Sequence, residues 1–146
     1  MVDPDVSHAS VGTPDKPLVH WLVMNIPNGT VSHGDTLETY LGPAPPPPSK
    51  KNHTYYFLLF KQAHQLSAQK IKGFVGQNCP VIGRCLFDLQ RFQQDESVVL
   101  VGATWMLAHN DPYIRHMYVT ERGNNIDDVC HGVKDYPNVC SNDILG

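Results

Sequence analysis

Four polar side chains lie in or beside stretches that otherwise predict buried strands. Asp3 belongs to an Asp-Pro-Asp turn signal, His20 lies inside an apolar run, and His53 and Tyr55 open another. A buried imidazole needs a hydrogen-bond partner or a ligand, and a histidine in an apolar strand is more often a core residue whose hydrogen bonds are satisfied. If the strand ends converge, the imidazoles would suit an oxyanion, and the carboxylate would orient a histidine or pair with an ammonium group. The residues therefore favour a small polar pocket.

The sequence contains no catalytic or metal-binding motif. Its eight histidines include no His-Glu-x-x-His and no helical pair at i, i+4. The Gly-x-Ser-x-Gly motif of many hydrolases is absent, and no glycine-rich loop opens a helix in the way that a phosphate-binding loop would. We therefore expect no enzymatic activity, no catalytic residue, no metal and no cofactor.

Size and charge exclude several classes of protein. A chain of 146 residues suffices for one domain, and 41 % hydrophobic against 17 % charged residues is typical of a globular protein rather than a disordered one. The formal net charge of -3 gives no electrostatic footprint for nucleic acid. No apolar run approaches the ~20 residues that a transmembrane helix needs, so we expect no transmembrane segment.

Short periodic segments predict the elements that would position the pocket. Runs rich in β-branched and aromatic residues predict strands at residues 18–27, 55–60 and 98–107. Apolar residues at helical spacing predict a short helix at residues 87–94. Asp111 and Pro112 have the composition of a helix start, which predicts a second helix as far as about Val119.

Three connecting segments lack a clear period. Residues 31–41 mix polar and apolar side chains and are expected to be irregular, and residues 61–83 form a long connection. The proline run within residues 42–51 favours polyproline II and a stiff loop.

The four cysteines predict two disulfides rather than a metal site. Neither the spacing of six residues nor that of ten matches a CxxC zinc pattern, and an even number on Pro-, Gly- and Asn-rich loops suits disulfides in an oxidising compartment. The simplest of the three possible connectivities joins neighbours in the sequence, which are Cys79–Cys85 and Cys130–Cys140.

Two glycosylation acceptors point to the same compartment. Asn28-Gly-Thr and Asn52-His-Thr both match the acceptor triplet. We expect a secreted protein whose signal peptide is absent from this chain, with a cytoplasmic location as the alternative.

The order of four motifs resembles the phosphatidylethanolamine-binding protein family. The motifs are Asp-Pro-Asp at residues 3–5, His-Trp-Leu-Val-x-Asn-Ile-Pro at 20–27, Tyr-x-Gly-Pro-x-Pro-Pro at 40–46 and His-x-Tyr-x-Phe-Leu-Leu-Phe at 53–60. Later segments fit more loosely, so the resemblance extends over roughly residues 1–119.

The resemblance implies a mainly β fold, a β-sandwich with a few peripheral helices, and a small anion pocket. The pocket residues carried over by matching motif are Asp3, His20, His53 and Tyr55, with Gly42 as a backbone approach point and Tyr118 as a lid. The implied ligand is a phosphate group or the head group of phosphatidylethanolamine.

Two other functions remain open within the resemblance. Family members include protease inhibitors and kinase-cascade scaffolds, so a secreted protein-interaction modulator with a vestigial pocket, whose partner would be a protease or a kinase, is the first alternative. A mitochondrial ribosomal protein carries a related domain and is the second, although an acidic chain with glycosylation acceptors argues against it.

Several positions depart from the family pattern. Ser7 replaces a usual proline, Thr54 replaces the arginine after the second histidine, and residues 45–48 are prolines in a loop that is normally glycine-rich. Proline has no N–H to offer an anion, whereas Lys50 and Lys51 could restore positive potential.

The resemblance also suggests where the domain lies. We expect a domain of this type over residues 1–120 and a polar, cysteine-containing tail over residues 121–146. In the family, part of the domain precedes Asp-Pro-Asp, so the expectation is a secreted, invertebrate-type member whose fold is incomplete at the N terminus.

Overall fold

A computed structural model describes residues 1–6, 11–45, 51–76, 83–111 and 114. The strands in this part are β1 (Val2–Asp3), β2 (Leu18–Val19), β3 (Leu22–Met24), β4 (Asp35–Glu38), β5 (His53–Lys61) and β6 (Val99–Ala108). The helices are α1 (Ala68–Lys72) and α2 (Leu89–Asp95), and two short 3-10 turns cover Pro27–Gly29 and Val31–His33. This composition confirms the predicted mainly β fold with few helices.

The strands form two sheets. One has the order β2-β1-β5-β6, in which β1 pairs antiparallel with β2 and with β5, and the other pairs β3 antiparallel with β4. Val2 lies opposite Val19 on one side and Tyr56 on the other. The two-residue strand β1 therefore joins the predicted strands that carry the histidines.

The strand predicted at residues 18–27 is not continuous. It breaks at His20 and Trp21, whose backbone N–H groups both donate to the carbonyl oxygen of Met1, at 2.8 and 3.2 Å. Because the ladder is interrupted there, β2 belongs to the four-stranded sheet and β3 to the two-stranded one. The prediction of one strand was wrong because an apolar run does not reveal where a strand changes sheets.

The segment predicted to be irregular and the one predicted to be a long connection both contain regular structure. Residues 31–41 include β4, whose Thr36 and Asp35 lie opposite Val23 and Met24 of β3, so pairing with a neighbour overrides a weak local pattern. The connection at residues 61–83 contains α1, which buries only Ile71 and is too short to show a helical period. By contrast, β5, β6 and α2 lie where the sequence predicts them.

The hydrophobic core contains a group of phenylalanine rings. Phe74, Phe87 and Phe92 contact one another with ring centroids 5.5 to 6.3 Å apart, and Phe60 meets Phe92 edge-on at 5.7 Å. Each such ring contributes about 1.5–3 kcal/mol when it is fully buried. The buried core residues are Val19, Met24, Leu66, Ile71, Phe74, Phe87, Phe92 and Val98.

The chain divides into two compact units. The first comprises residues 1–43 and 53–107, and it contains both sheets except the last residue of β6. The second comprises residues 44–52 and 108–146. Within the second unit, Asn110 Nδ2 donates to the carbonyl of Pro45 at 2.8 Å, and Ile114 N donates to Asp111 Oδ1 at 2.9 Å. The remainder of the helix predicted from Asp111, and the domain boundary predicted at residue 120, lie outside the described residues.

Candidate functional site

Asp3 and His53 form a buried pair where β1 and β5 meet. Asp3 Oδ2 lies 2.8 Å from His53 Nδ1, and the two side chains are only 2 % and 3 % exposed. Because a carboxylate can only accept a hydrogen bond, Nδ1 carries the hydrogen and donates it. This contact fixes the orientation of the His53 ring.

Asp5, the second aspartate of the turn around Pro4, also links this turn to the start of β5. Asp3 Oδ1 accepts a hydrogen bond from the backbone N–H of Asp5 at 2.9 Å, which closes the turn. Asp5 Oδ2 accepts from the backbone N–H of Thr54 at 2.7 Å. Both carboxylates of the Asp-Pro-Asp motif therefore act on adjacent residues of the same strand.

Tyr55 connects the two histidines. His53 and Tyr55 are two residues apart on β5, so their side chains share a face of the sheet, and both are buried. Their rings stack at a centroid distance of 6.4 Å, and the ring of His20 meets Tyr55 edge-on at 5.0 Å. The structure thus brings together Asp3, His20, His53 and Tyr55.

His20 has one ring nitrogen with a partner and one without. Nδ1 lies 3.0 Å from the carbonyl oxygen of Leu41 and so donates to it, whereas Nε2 is buried with no hydrogen-bond partner in the described part of the chain. Burial lowers the pKa of His20, opposed by the nearby carbonyls of Leu41 and Gly42 and by the charge of Asp3. The neutral ring therefore presents a lone pair at Nε2, and the protonated ring would present a donor there.

The other two predicted ligand residues have different outcomes. Gly42 follows Leu41, whose carbonyl oxygen accepts from His20 Nδ1, but a Cβ added to Gly42 would meet nothing within 4 Å. The glycine is thus not required there by crowding from its neighbours. Tyr118 lies outside the described residues.

Arg84 supports the site, and sequence reasoning missed it. Its Nη1 donates to the carbonyl of His20 at 3.1 Å, its Nη2 donates to the carbonyl of Thr39 at 3.0 Å, and its Nε lies 3.4 Å from a carboxylate oxygen of Glu38. An arginine on a non-periodic loop carries no sequence signal for these contacts. It binds the carbonyl of His20, whereas Met1 accepts from the N–H of the same residue.

The described residues also surround an apolar cavity of about 1030 Å³. Residues of β3, β5, β6 and α2 line it, and Asp3, His20, His53 and Tyr55 do not. The polar cluster and the large cavity are therefore separate features.

The structure describes only some of the residues that are predicted to form disulfides or to carry glycans. Cys85 is fully buried and disulfide-bonded, whereas Cys79, Cys130 and Cys140 lie outside the described residues, so the proposed pairing stays a prediction. Asn28 and Asn52 are both exposed, as an acceptor must be.

Clustered metal-ligating side chains and long apolar helices are both absent from the part of the chain that the structure describes. That part contains no group of three or more His, Cys, Asp and Glu side chains arranged to hold a metal ion. None of its helices has the length and apolar character that crossing a bilayer requires.

The family model for phosphatidylethanolamine-binding protein matches residues 1–96, which is more than half of the 146 residues. The chain belongs to this family. The matched region contains Asp3, His20, Gly42, His53 and Tyr55 and ends before Tyr118. No curated protein sequence matches the chain.

Proposed function

We propose that this protein binds the phosphate-bearing head group of a phospholipid, or phosphate itself, without chemical conversion of the ligand. The pocket is formed by Asp3, His20, His53 and Tyr55, with the backbone near Gly42 at its side. The observation that carries the proposal is the buried Nε2 of His20, which has no partner among the described residues. A buried polar atom without a partner costs about 1–3 kcal/mol, so a ligand that satisfies it gains that amount.

His20 could bind an anion in either of its protonation states. Neutral His20 would accept a hydrogen bond from a monoprotonated phosphate, and protonated His20 would donate one to a phosphate oxygen. An anion at Nε2 favours the charged ring and so opposes the effect of burial on the pKa of His20. Because Asp3 already fixes His53, that ring needs little reorganisation when the ligand arrives.

Calorimetric titration with phosphorylethanolamine and, separately, with inorganic phosphate tests the proposal. We expect His20→Ala and His53→Ala each to weaken binding by about tenfold or more, which is the effect of losing one charge-assisted hydrogen bond. Phosphorylethanolamine binding more tightly than phosphate would indicate that the ammonium group is also recognised.

The matched control is His33→Ala, because His33 is an exposed histidine in the 3-10 turn Val31–His33. This variant should bind as the wild type does. Equal affinity of the wild type and both site variants, or no binding at millimolar ligand, would mean that the cluster is a relic and that the proposal is wrong.

A secreted protein-interaction modulator with a vestigial pocket is the second candidate, and the exposed acceptor Asn52 favours it. Asn52 directly precedes His53, so a glycan there would crowd the approach to that histidine. Intact-mass measurement of the secreted protein, with and without glycosidase, distinguishes the two. We expect the glycan on Asn28, and an occupied Asn52 would instead support the interaction protein.

A further inference from the structure

His20 and Leu41 are joined by two hydrogen bonds that together fix the His20 ring. The backbone N–H of Leu41 donates to the carbonyl of His20 at 2.8 Å, and the carbonyl of Leu41 lies 3.0 Å from Nδ1 of the ring. A carbonyl oxygen can only accept a hydrogen bond, so the ring hydrogen of neutral His20 is on Nδ1. The buried Nε2, which has no partner among the described residues, therefore presents a lone pair.

Arg84 keeps the segment that ends at Leu41 next to His20. Its Nη1 donates to the carbonyl of His20 at 3.1 Å, and its Nη2 donates to the carbonyl of Thr39 at 3.0 Å. Its Nε lies 3.4 Å from a carboxylate oxygen of Glu38, and both side chains are largely buried. Because this short segment is bonded to Arg84 at one end and to His20 at the other, the Leu41 carbonyl has little freedom to leave Nδ1.

The groups that surround His20 favour its neutral form. Burial is the largest influence on the pKa of His20 and lowers it below 6.5, and the charge of Arg84 acts in the same direction. The charge of Asp3 and hydrogen bonding to the backbone oppose this shift without cancelling it. The other titratable neighbours are on β5: the ring of Tyr55 meets His20 edge-on at 5.0 Å, and His53 is bonded to Asp3 through Nδ1. At pH 6.5 and above, the neutral ring with its lone pair at Nε2 predominates.

Resting on the proposed function, we infer that His20 restricts the ligand to a phosphate group that still carries a hydroxyl. Such a group, in inorganic phosphate or in a singly charged phosphomonoester, donates its hydrogen to Nε2. A phosphodiester has no hydrogen to donate, so its oxygens meet the lone pair of Nε2 unless His20 first takes up a proton. The pocket accordingly selects inorganic phosphate and phosphomonoesters over the diester phosphate of an intact phospholipid.

Calorimetric titration at about pH 6.5 with inorganic phosphate and with dimethyl phosphate tests this selection. Both are mainly singly charged anions at this pH, and only inorganic phosphate has a hydroxyl. The wild type should bind inorganic phosphate about tenfold or more tightly, which is the effect of one charge-assisted hydrogen bond. The difference should narrow as the pH falls, because the protonated ring donates to either anion. The amino group of Met1 also titrates here, with its pKa lowered to about 6 by burial, but it donates to the carbonyl of Trp21 and affects two equally charged ligands alike.

Two variants separate hydrogen bonding from the larger size of dimethyl phosphate. His20→Gln should bind both anions with similar affinity, since its amide NH2 group donates to either, whereas a size effect would persist in this variant. His33→Gln makes the same substitution at an exposed histidine and should keep the selection of the wild type. Glycerophosphorylethanolamine, a diester that carries an ammonium group, should bind as weakly as dimethyl phosphate. Binding of this compound as tightly as inorganic phosphate would overturn the inference, because the ammonium group would then be the donor.

Long-range nitrogen–proton NMR spectra of the free protein test the tautomer without any ligand, with the His20 signals assigned by their loss in His20→Gln. We expect the hydrogen on Nδ1, and an Nε2–H tautomer would overturn the inference. Equal affinity of the wild type for inorganic phosphate and dimethyl phosphate, or unchanged selection in His20→Gln, would also overturn it while leaving the binding pocket itself in place. A wild type that binds none of these anions at millimolar concentration would instead refute the proposed function, and this inference with it.

Discussion

Removal of the Asp3 carboxylate should destabilise the protein more than any exposed charge substitution. The carboxylate accepts two hydrogen bonds, from His53 Nδ1 at 2.8 Å and from the backbone N–H of Asp5 at 2.9 Å. In Asp3→Ala both donors lose their partner, and the one on His53 is buried. At about 1–3 kcal/mol for each unsatisfied group, we expect a loss of roughly 3–5 kcal/mol. That is a large fraction of the about 5–15 kcal/mol by which native proteins are usually stable.

Urea unfolding followed by the fluorescence of Trp21 and Trp105 measures this loss. Asp3→Asn should fall between the wild type and Asp3→Ala, since its oxygen can still accept from Asp5 while its NH2 group faces a donor on His53. Asp15→Ala, which removes an exposed carboxylate, is the control and should change stability by less than about 0.5 kcal/mol. If Asp3→Ala costs no more than Asp15→Ala, the buried pair does not hold the turn to β5 and the reasoning fails.

Two further predictions concern His20 and the residue that supports it. Because burial lowers the folded pKa of His20 below its ordinary 6.5, the unfolded chain takes up this proton first. The stability that neutral His20 contributes is then fully present above pH 6.5 and is lost as the pH falls through the folded pKa. Unfolding free energies measured across that range should show this slope, and His20→Gln should reduce it. Arg84→Ala should cost about 1–2 kcal/mol in the same assay, because the carbonyl of His20 then keeps only the donor on Leu41 and the carbonyl of Thr39 loses the Arg84 donor, and Arg84→Lys should recover only part. A change under about 0.5 kcal/mol for Arg84→Ala would contradict its supporting role.

The polar cluster could be predicted because its members interrupt otherwise simple patterns. One histidine lies within an apolar run and another at the start of a second run, and burying either without a partner costs free energy. A fold that brings them together with hydrogen-bonding groups avoids this cost. The Asp-Pro-Asp turn added a carboxylate with a fixed conformation. The predictions of β5 and β6 succeeded for a related reason, since aromatic and β-branched runs of that length have few alternatives.

The contacts that hold the cluster could not be predicted, because they depend on residues far apart in the chain. Arg84 reaches His20 across 64 positions, and the break at His20 arises from a carbonyl at Met1. The strand β4 exists because β3 lies beside it, not because its own residues demand an extended conformation. Local patterns report on burial and period, whereas these interactions are set by which segments the fold brings together.

The break in the strand explains how a histidine can occupy this position with only one ring nitrogen lacking a partner among the described residues. At His20 the backbone N–H donates to Met1, while the carbonyl accepts from Leu41 N at 2.8 Å and from Arg84. The ring returns to Leu41 through Nδ1, so every polar atom of His20 except Nε2 is held by the protein. An apolar side chain of similar size could fill this place in the core without an unsatisfied polar atom. The unsatisfied Nε2 of His20 is therefore a cost that packing alone does not require. The backbone of His20 and its ring nitrogen Nδ1 are held by hydrogen bonds, whereas Nε2 has no partner among the described residues. A binding group that is pre-organised for its ligand needs this combination.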